Sequence, residues 1–143
     1  MGLRARQIKT NIEVYAADCE QKLNKMLGTN FSFEIDWKCL PEDIEGWNWE
    51  DKDLAQCFYN SFFKPLEDSF SVFFKDKMYQ SAIKDQIKTI KFGPGRSMAA
   101  DFDYKDGVFF VLHTLGANQK ENISDFLKSC HIGIGNVVNS KLN

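Results

Sequence analysis

A change of hydrophobic period at Gly28 constrains the fold more than any other feature of the sequence. Before this glycine, apolar residues recur every three or four positions across 3–27, which predicts an amphipathic helix that ends at Gly28. After it, residues 31–37 alternate apolar and polar side chains, as a half-buried strand with one solvated face does. The chain therefore combines helix and sheet from its first segments onward.

The middle of the chain predicts a loop followed by helices. Residues 38–53 contain proline, glycine and few periodic apolar positions, so they read as a long loop. A helix is expected from about Asp51 to Phe63, and Pro65 then suits the first turn of a third helix that continues towards Ile83. One kinked helix through Pro65 is the alternative.

Three strand candidates follow, at 88–92, 98–104 and 108–114. They are separated by Gly93-Pro94-Gly95 and by Asp106-Gly107, and both separators predict hairpin turns. The third candidate is apolar at nearly every position, which is typical of a strand that is covered on both faces.

A last helix is predicted to begin near Asn122, and its Gly133 and Gly135 indicate either close packing or an early end. The resulting order is α-β-α-α-β-β-β-α. We expect a single α+β domain over residues 1–143, with a mainly antiparallel sheet of about four strands and helices packed on one face.

Charge, apolar runs and cysteine spacing limit the cellular environment and the class of partner that the sequence predicts. The chain has 143 residues, a formal net charge of -2 and a pI near 5.7, which argues against a general nucleic-acid binder. The longest apolar run, 108–112, is far shorter than the roughly 20 residues of a membrane span. No C-x-x-C pair occurs among the four cysteines, so we expect reduced thiols in a cytoplasmic protein without membrane contact. These cysteines are Cys19, Cys39, Cys57 and Cys130.

The glycine-rich segment 93–97 carries an arginine and a serine, but it does not match a phosphate-binding loop. Pro94 removes a backbone donor, and no Gly-Lys-Ser/Thr follows. We interpret the segment as a turn with an exposed Arg96, which leaves this arginine as a candidate contact for an anion.

Asp101, Asp103 and Lys105 form the second candidate for chemistry. The two aspartates share one face of a strand, and Asp103-Tyr104-Lys105 is similar to the short acid-x-Lys signature of metal-dependent nucleases. A metal-dependent hydrolase is therefore one alternative, although no third carboxylate is evident in the sequence. The other interpretation is the solvated face of a hairpin. No catalytic motif or zinc-ligand spacing is present, so the sequence favours a protein that is not an enzyme and has no cofactor or metal.

Aromatic residues make up 14% of the chain, and thirteen of them are phenylalanines, six of which fall within residues 58–74 of the predicted middle helices. A phenylalanine-rich core explains this crowding, because most of the rings follow helical spacing. A small-molecule pocket lined by phenylalanine is the alternative, with Arg96 or His113 as its polar contacts.

The segment 40–53 stands out for function, since it holds six acids, one lysine and two tryptophans. Acids beside aromatic anchors suit recognition of a basic protein. The predicted partner-binding residues are Glu42, Asp43, Glu45, Trp47, Trp49, Glu50 and Asp51. In this composition the chain resembles bacterial immunity proteins, which implies a non-enzymatic inhibitor that neutralises a basic partner. The alternative is that the tryptophans fold back over the core and the acids cap the helix that begins near Asp51.

Overall fold

Helix α1 (Leu3–Leu27) forms and ends as predicted. Gly28 adopts a left-handed φ of 66°, and its N–H donates to the carbonyl oxygen of Asn24. None of the described helices is long and apolar enough to cross a membrane. The computed structural model describes residues 2–40, 42–46, 51–95, 101–113, 130 and 132–139.

Strand β1 (Ser32–Ile35) is shorter than predicted because Asp36 begins a turn. The side chain of Asp36 accepts a hydrogen bond from the N–H of Lys38 at 3.1 Å, which starts a 3-10 turn over Trp37–Cys39. A second 3-10 turn spans Ile44–Gly46, so the described part of the predicted loop is largely turned rather than extended.

Helices α2 (Asp51–Phe58) and α3 (Lys64–Phe73) form one continuous helical segment, which was the alternative interpretation of Pro65. A π-helical segment, Tyr59–Phe63, joins them, and the N–H of Lys64 donates to the carbonyl oxygen of Tyr59. Proline lacks an N–H and its ring crowds the carbonyl four residues earlier. The wider π turn provides room for that ring without ending the helix.

The predicted length of the third helix is wrong, because α3 ends at Phe73 and a separate helix follows. Asp76 accepts hydrogen bonds from the N–H groups of Met78 and Tyr79 at 2.8 and 3.3 Å, and it thereby caps helix α4 (Lys77–Gln86). The apolar positions of the predicted third helix continue across this boundary, so the hydrophobic pattern by itself did not indicate it.

The four strands of the described residues form a mixed sheet in the order β1-β2-β4-β3, with β2 at Thr89–Pro94, β3 at Asp101–Lys105 and β4 at Val108–His113. β1 is parallel to β2, β2 is parallel to β4, and only β3 and β4 are antiparallel. The mainly antiparallel sheet that the sequence predicted is therefore wrong. The helices between β1 and β2 return the chain to the same end of the sheet, which permits the parallel pairing.

The two predicted hairpin turns differ in outcome. Asp106 and Gly107 have φ values of 49° and 84°, and they join the paired strands β3 and β4 as predicted. The hairpin prediction for Gly93-Pro94-Gly95 is wrong, because β4 lies between β2 and β3. β4 is the most apolar strand, so its place inside the sheet buries more apolar surface than an edge position would.

Helices cover one face of the sheet in the described part of the chain. The ring centroids of Phe63 and Phe92 are 4.9 Å apart, and those of Phe70 and Phe109 are 5.6 Å apart. On the opposite face Phe110 is only half-buried, and buried and half-buried positions alternate along β4. In the described part of the chain, one face of this strand is therefore buried and the other is partly covered.

Residues 132–139 are helical and pack on the same covered face. A Cβ atom added at Gly133 would lie 2.6 Å from the Cβ of Phe102 and 3.2 Å from the ring of Phe109. Gly133 thus marks close packing, one of the two predicted meanings of these glycines. The predicted start near Asn122 lies outside the described residues.

Candidate partner-binding surface

The predicted partner-binding residues are distributed over three settings. Glu42, Asp43 and Glu45 are exposed, whereas Ile44 between them is buried against the core. Asp51 is the first residue of α2. The remaining predicted residues, Trp47, Trp49 and Glu50, lie outside the described residues.

Glu45 connects the acidic segment to the start of α1. Its Oε1 atom accepts a hydrogen bond from the N–H of Ala5 at 3.1 Å, and its carbonyl oxygen accepts one from Nη1 of Arg4 at 3.4 Å. Gly2, which precedes the helix, supplies no side-chain cap. A carboxylate at the N-terminus of a helix satisfies a free amide and interacts favourably with the helix dipole. Glu45 therefore anchors the segment, a contact that the sequence did not reveal.

The first of two grooves lies between the start of α1 and the turn segment, and it measures about 280 Å³. We call it the loop groove, and it is lined by Gly2, Ala5, Lys9, Trp37, Leu40, Glu42, Ile44 and Glu45. Two of the predicted partner-binding residues, Glu42 and Glu45, thus border a concave surface rather than an extended loop.

The second groove lies between α1 and strand β1 and also measures about 280 Å³. We call it the edge groove, and it is lined by Glu13, Ala16, Ala17, Glu20, Phe33, Ile35 and Trp37. Trp37 is half-buried and lines both grooves, so they meet at its indole ring. The ammonium of Lys9 lies 5.1 Å from the centroid of that ring, within the range of a cation–π contact.

Negative charge dominates the residues that line the two grooves. Glu13 and Glu20 border the edge groove, Glu42 and Glu45 border the loop groove, and Lys9 is the one basic residue among the lining residues. This balance attracts a positively charged surface. Glu13, Glu20 and Trp37 are not evident as site residues in the sequence, because the glutamates belong to a regular helix and Trp37 begins the turn after β1. Ala16 and Ala17 between the two glutamates were the available signal, since small residues leave space on a helix.

Asp101 and Asp103 share one face of β3, as predicted, and each is bonded to its own strand. Their Oδ1 atoms accept hydrogen bonds from the N–H groups of Phe102 and Tyr104, both at 2.8 Å. Lys105 is exposed at the end of this strand. In the described part of the chain, no three histidine, cysteine or acidic residues are grouped so that they could hold a metal ion. The structure thus adds no third ligand to the proposed hydrolase site.

His113 is 1% exposed, and its ring centroid lies 5.9 Å from that of Phe62. The phenylalanine rings around it pack against one another, with the centroids of Phe58 and Phe62 only 4.2 Å apart. Neither of the two grooves is lined by these rings. Arg96, the other suggested polar contact of a small-molecule pocket, lies outside the described residues.

The buried cysteines are poor candidates for nucleophiles. Burial raises the pKa of the Cys39 thiol to about 12, and the nearby carboxylate of Asp36 acts in the same direction. Burial raises the pKa of the Cys19 and Cys130 thiols further still. Because the thiolate is the reactive form, these three thiols are unreactive at neutral pH.

Comparison of the chain with protein-family models, with characterised proteins and with solved structures yields no significant match.

Proposed function

We propose that this protein is a non-enzymatic binding protein that recognises a basic protein partner through the two grooves that meet at Trp37. The observation that supports this proposal is the arrangement of four carboxylates and one ammonium around a half-buried tryptophan. Tryptophan supplies a large, rigid contact area, and the surrounding carboxylates steer a positively charged partner towards it.

The described part of the acidic segment contributes to this surface. Glu42 extends the negative charge along the loop groove, while Glu45 holds the turn segment against α1. We further propose that binding neutralises the partner, in the manner of the immunity proteins that the composition resembles. The four cysteines are free and buried, which suits action in the reducing cytoplasm.

Charge reversal tests the proposal. The double variant E13K/E42K changes one carboxylate in each groove, and neither side chain bonds to the backbone of the residues that the structure describes. We expect basic proteins captured from lysate by the wild-type chain to associate at least tenfold more slowly with this variant at low salt. The difference is expected to shrink as the salt concentration rises.

The matched control is D18K/E34K, which changes the net charge by the same amount. Asp18 and Glu34 are exposed, and neither lines a groove. If both variants lost binding equally, the effect would come from net charge alone. Unchanged binding in E13K/E42K would overturn the proposal.

A further inference from the structure

Side chains of α1 cover the outer edge of β1 step by step. At the first step, the Oδ1 atom of Asn24 accepts a hydrogen bond from the N–H of Phe31 at 2.8 Å, and its amide donates to the Phe31 carbonyl oxygen at 3.0 Å. At the second step, the Oε2 atom of Glu20 accepts from the N–H of Phe33 at 2.8 Å. The helix thus provides the hydrogen bonds that a neighbouring strand would otherwise provide.

The steps are regular because helix and strand advance at matching rates. Four helical residues rise about 6 Å, and two strand residues advance about 6.6 Å. Asn24 and Glu20 are four residues apart, and Phe31 and Phe33 are two apart, so the third step places residue 16 beside Ile35. That residue is Ala16, which has no polar side chain.

The polar backbone groups of Ile35 point away from the sheet. The N–H groups of Ser32 and Asp36 donate towards β2, to the carbonyl oxygens of Lys88 and Phe92 at 3.0 and 2.8 Å. Because strand residues alternate, the odd-numbered residues face outward, as the bond between Phe33 and Glu20 shows. In the described part of the chain, no group accepts a hydrogen bond from the N–H of Ile35.

We propose that the edge groove receives an extended segment of the basic partner, which pairs with β1 at Ile35 by strand addition. This inference rests on the proposed function and specifies how the partner binds. The main chain of the segment pairs with the N–H and carbonyl oxygen of Ile35, and its side chains enter the space left by Ala16 and Ala17.

Charge complementarity specifies the side chains of this segment. Glu13 and Glu20 lie two helical turns apart and border the groove on the helix side. Basic residues at alternate positions of the segment project to one face and reach these carboxylates, whereas acidic residues there are repelled. The open edge is short, so pairing with Ile35 adds about tenfold to the affinity and the charged contacts add specificity.

Hydrogen exchange at the Ile35 amide tests the inference on the wild-type chain. The probe is a synthetic ten-residue peptide of alternating valine and lysine, added to the ¹⁵N-labelled protein up to millimolar concentration. We expect the Ile35 amide to exchange at least tenfold more slowly with the peptide, and a valine–glutamate peptide to give little protection. Unchanged exchange at Ile35, or shift changes confined to other surfaces, would overturn the inference. Protection that grows with protein concentration in the absence of peptide would also overturn it, because a second copy of the chain would then occupy the edge.

The variant A16Q supplies the missing third polar side chain and fills part of the groove. We expect it to protect the Ile35 amide without peptide and to weaken peptide binding about tenfold or more. The control V14Q places the same side chain on the exposed part of α1, outside both grooves, and is expected to bind like the wild type. If E13K/E42K abolishes binding of the basic partner while A16Q and Ile35 exchange show no effect, the proposed function stands and strand addition is refuted.

Discussion

The two outer strands of the described sheet, β1 and β3, protect their edges in different ways. On β3, Asp101 and Asp103 each accept a hydrogen bond from the N–H of the next residue, so these two bonds lie within the strand itself. On β1, the hydrogen bonds come from Asn24 and Glu20 of a separate helix. Exposed strand edges invite pairing with other chains, and both arrangements reduce this tendency. Only the hydrogen bonds at β1 depend on the register between α1 and the strand. They can therefore cover part of the strand and leave the rest of it uncovered.

The largest effect is expected where the helical residues 132–139 press against β3. In the variant G133A, the new methyl group would lie 2.6 Å from the Cβ of Phe102, so the helix or the strand must shift. We expect a loss of about 2 to 3 kcal/mol in the free energy of unfolding, measured by chemical denaturation.

Gly135 provides the matched control for this variant, because an added Cβ there meets nothing within 4 Å. Alanine favours the helix over glycine, so G135A is expected to stabilise the protein by about 0.5 to 1 kcal/mol. Destabilisation of similar size in both variants would show that the position against Phe102 is not special.

At the β1 edge, N24A removes both hydrogen bonds to Phe31 and the acceptor for the hydroxyl of Thr29. We expect a loss of about 2 kcal/mol in the free energy of unfolding, together with faster hydrogen exchange at the Phe31 amide. The variant N11A changes an exposed asparagine of the same helix and is expected to alter stability by less than about 0.5 kcal/mol. An unchanged Phe31 amide in N24A would contradict protection of this edge by α1.

Alkaline pH is expected to lower the free energy of unfolding through the buried thiol of Cys39, which lies in the turn after β1. Burial raises the pKa of Cys39 from 9.0 to about 12, so above pH 9 the unfolded chain loses this proton while the folded chain keeps it. The resulting stability is fully present below pH 9 and is lost as the pH rises towards 12, at about 1.4 kcal/mol per pH unit. Denaturation curves between pH 9 and 10 should show a shallower pH dependence in C39A than in the wild type. The same slope in both proteins would contradict the assignment to Cys39.

The smallest effect on stability is expected from D103A at the β3 edge. It removes one hydrogen bond to the neighbouring Tyr104 N–H, and water can replace the lost acceptor at an edge. We expect a change of less than about 1 kcal/mol, but more self-association at high concentration in sedimentation experiments, because the edge loses one of the two carboxylates on this face. D103N keeps a side-chain oxygen and serves as the control for the hydrogen bond. Equal destabilisation by D103A and N24A would contradict the inferred difference between hydrogen bonds within β3 and hydrogen bonds from α1 to the β1 edge.

Local patterns predicted the elements that depend on near neighbours. Helix α1 ended at Gly28, and the Asp106-Gly107 turn joined two paired strands, because each requires only a particular backbone conformation at one place. The phenylalanine-rich core followed from helical spacing. The start of α4 was also encoded locally, in Asp76, but a continuous apolar stripe obscured it.

The sheet order could not be predicted in the same way. Gly93-Pro94-Gly95 looks like a hairpin turn, yet pairing between β2 and β4 replaces the expected neighbour. Which strands pair depends on the burial of whole faces, and the apolar β4 gains most from an inner position. The candidate surface was predicted only in part, because Glu42 and Glu45 were named while Glu13, Glu20 and Trp37 were not.

The sequence by itself determined the α+β class, the long first helix, the β3–β4 hairpin and the acidic character of the segment after Trp37. Only the tertiary structure decided the mixed sheet, the anchoring of Glu45 on α1 and the placement of Ala16 beside Ile35. The physical reason is range: periods, caps and turns act over a few residues, whereas the sheet order and the register of α1 against β1 arise from the packing of elements that are distant along the chain.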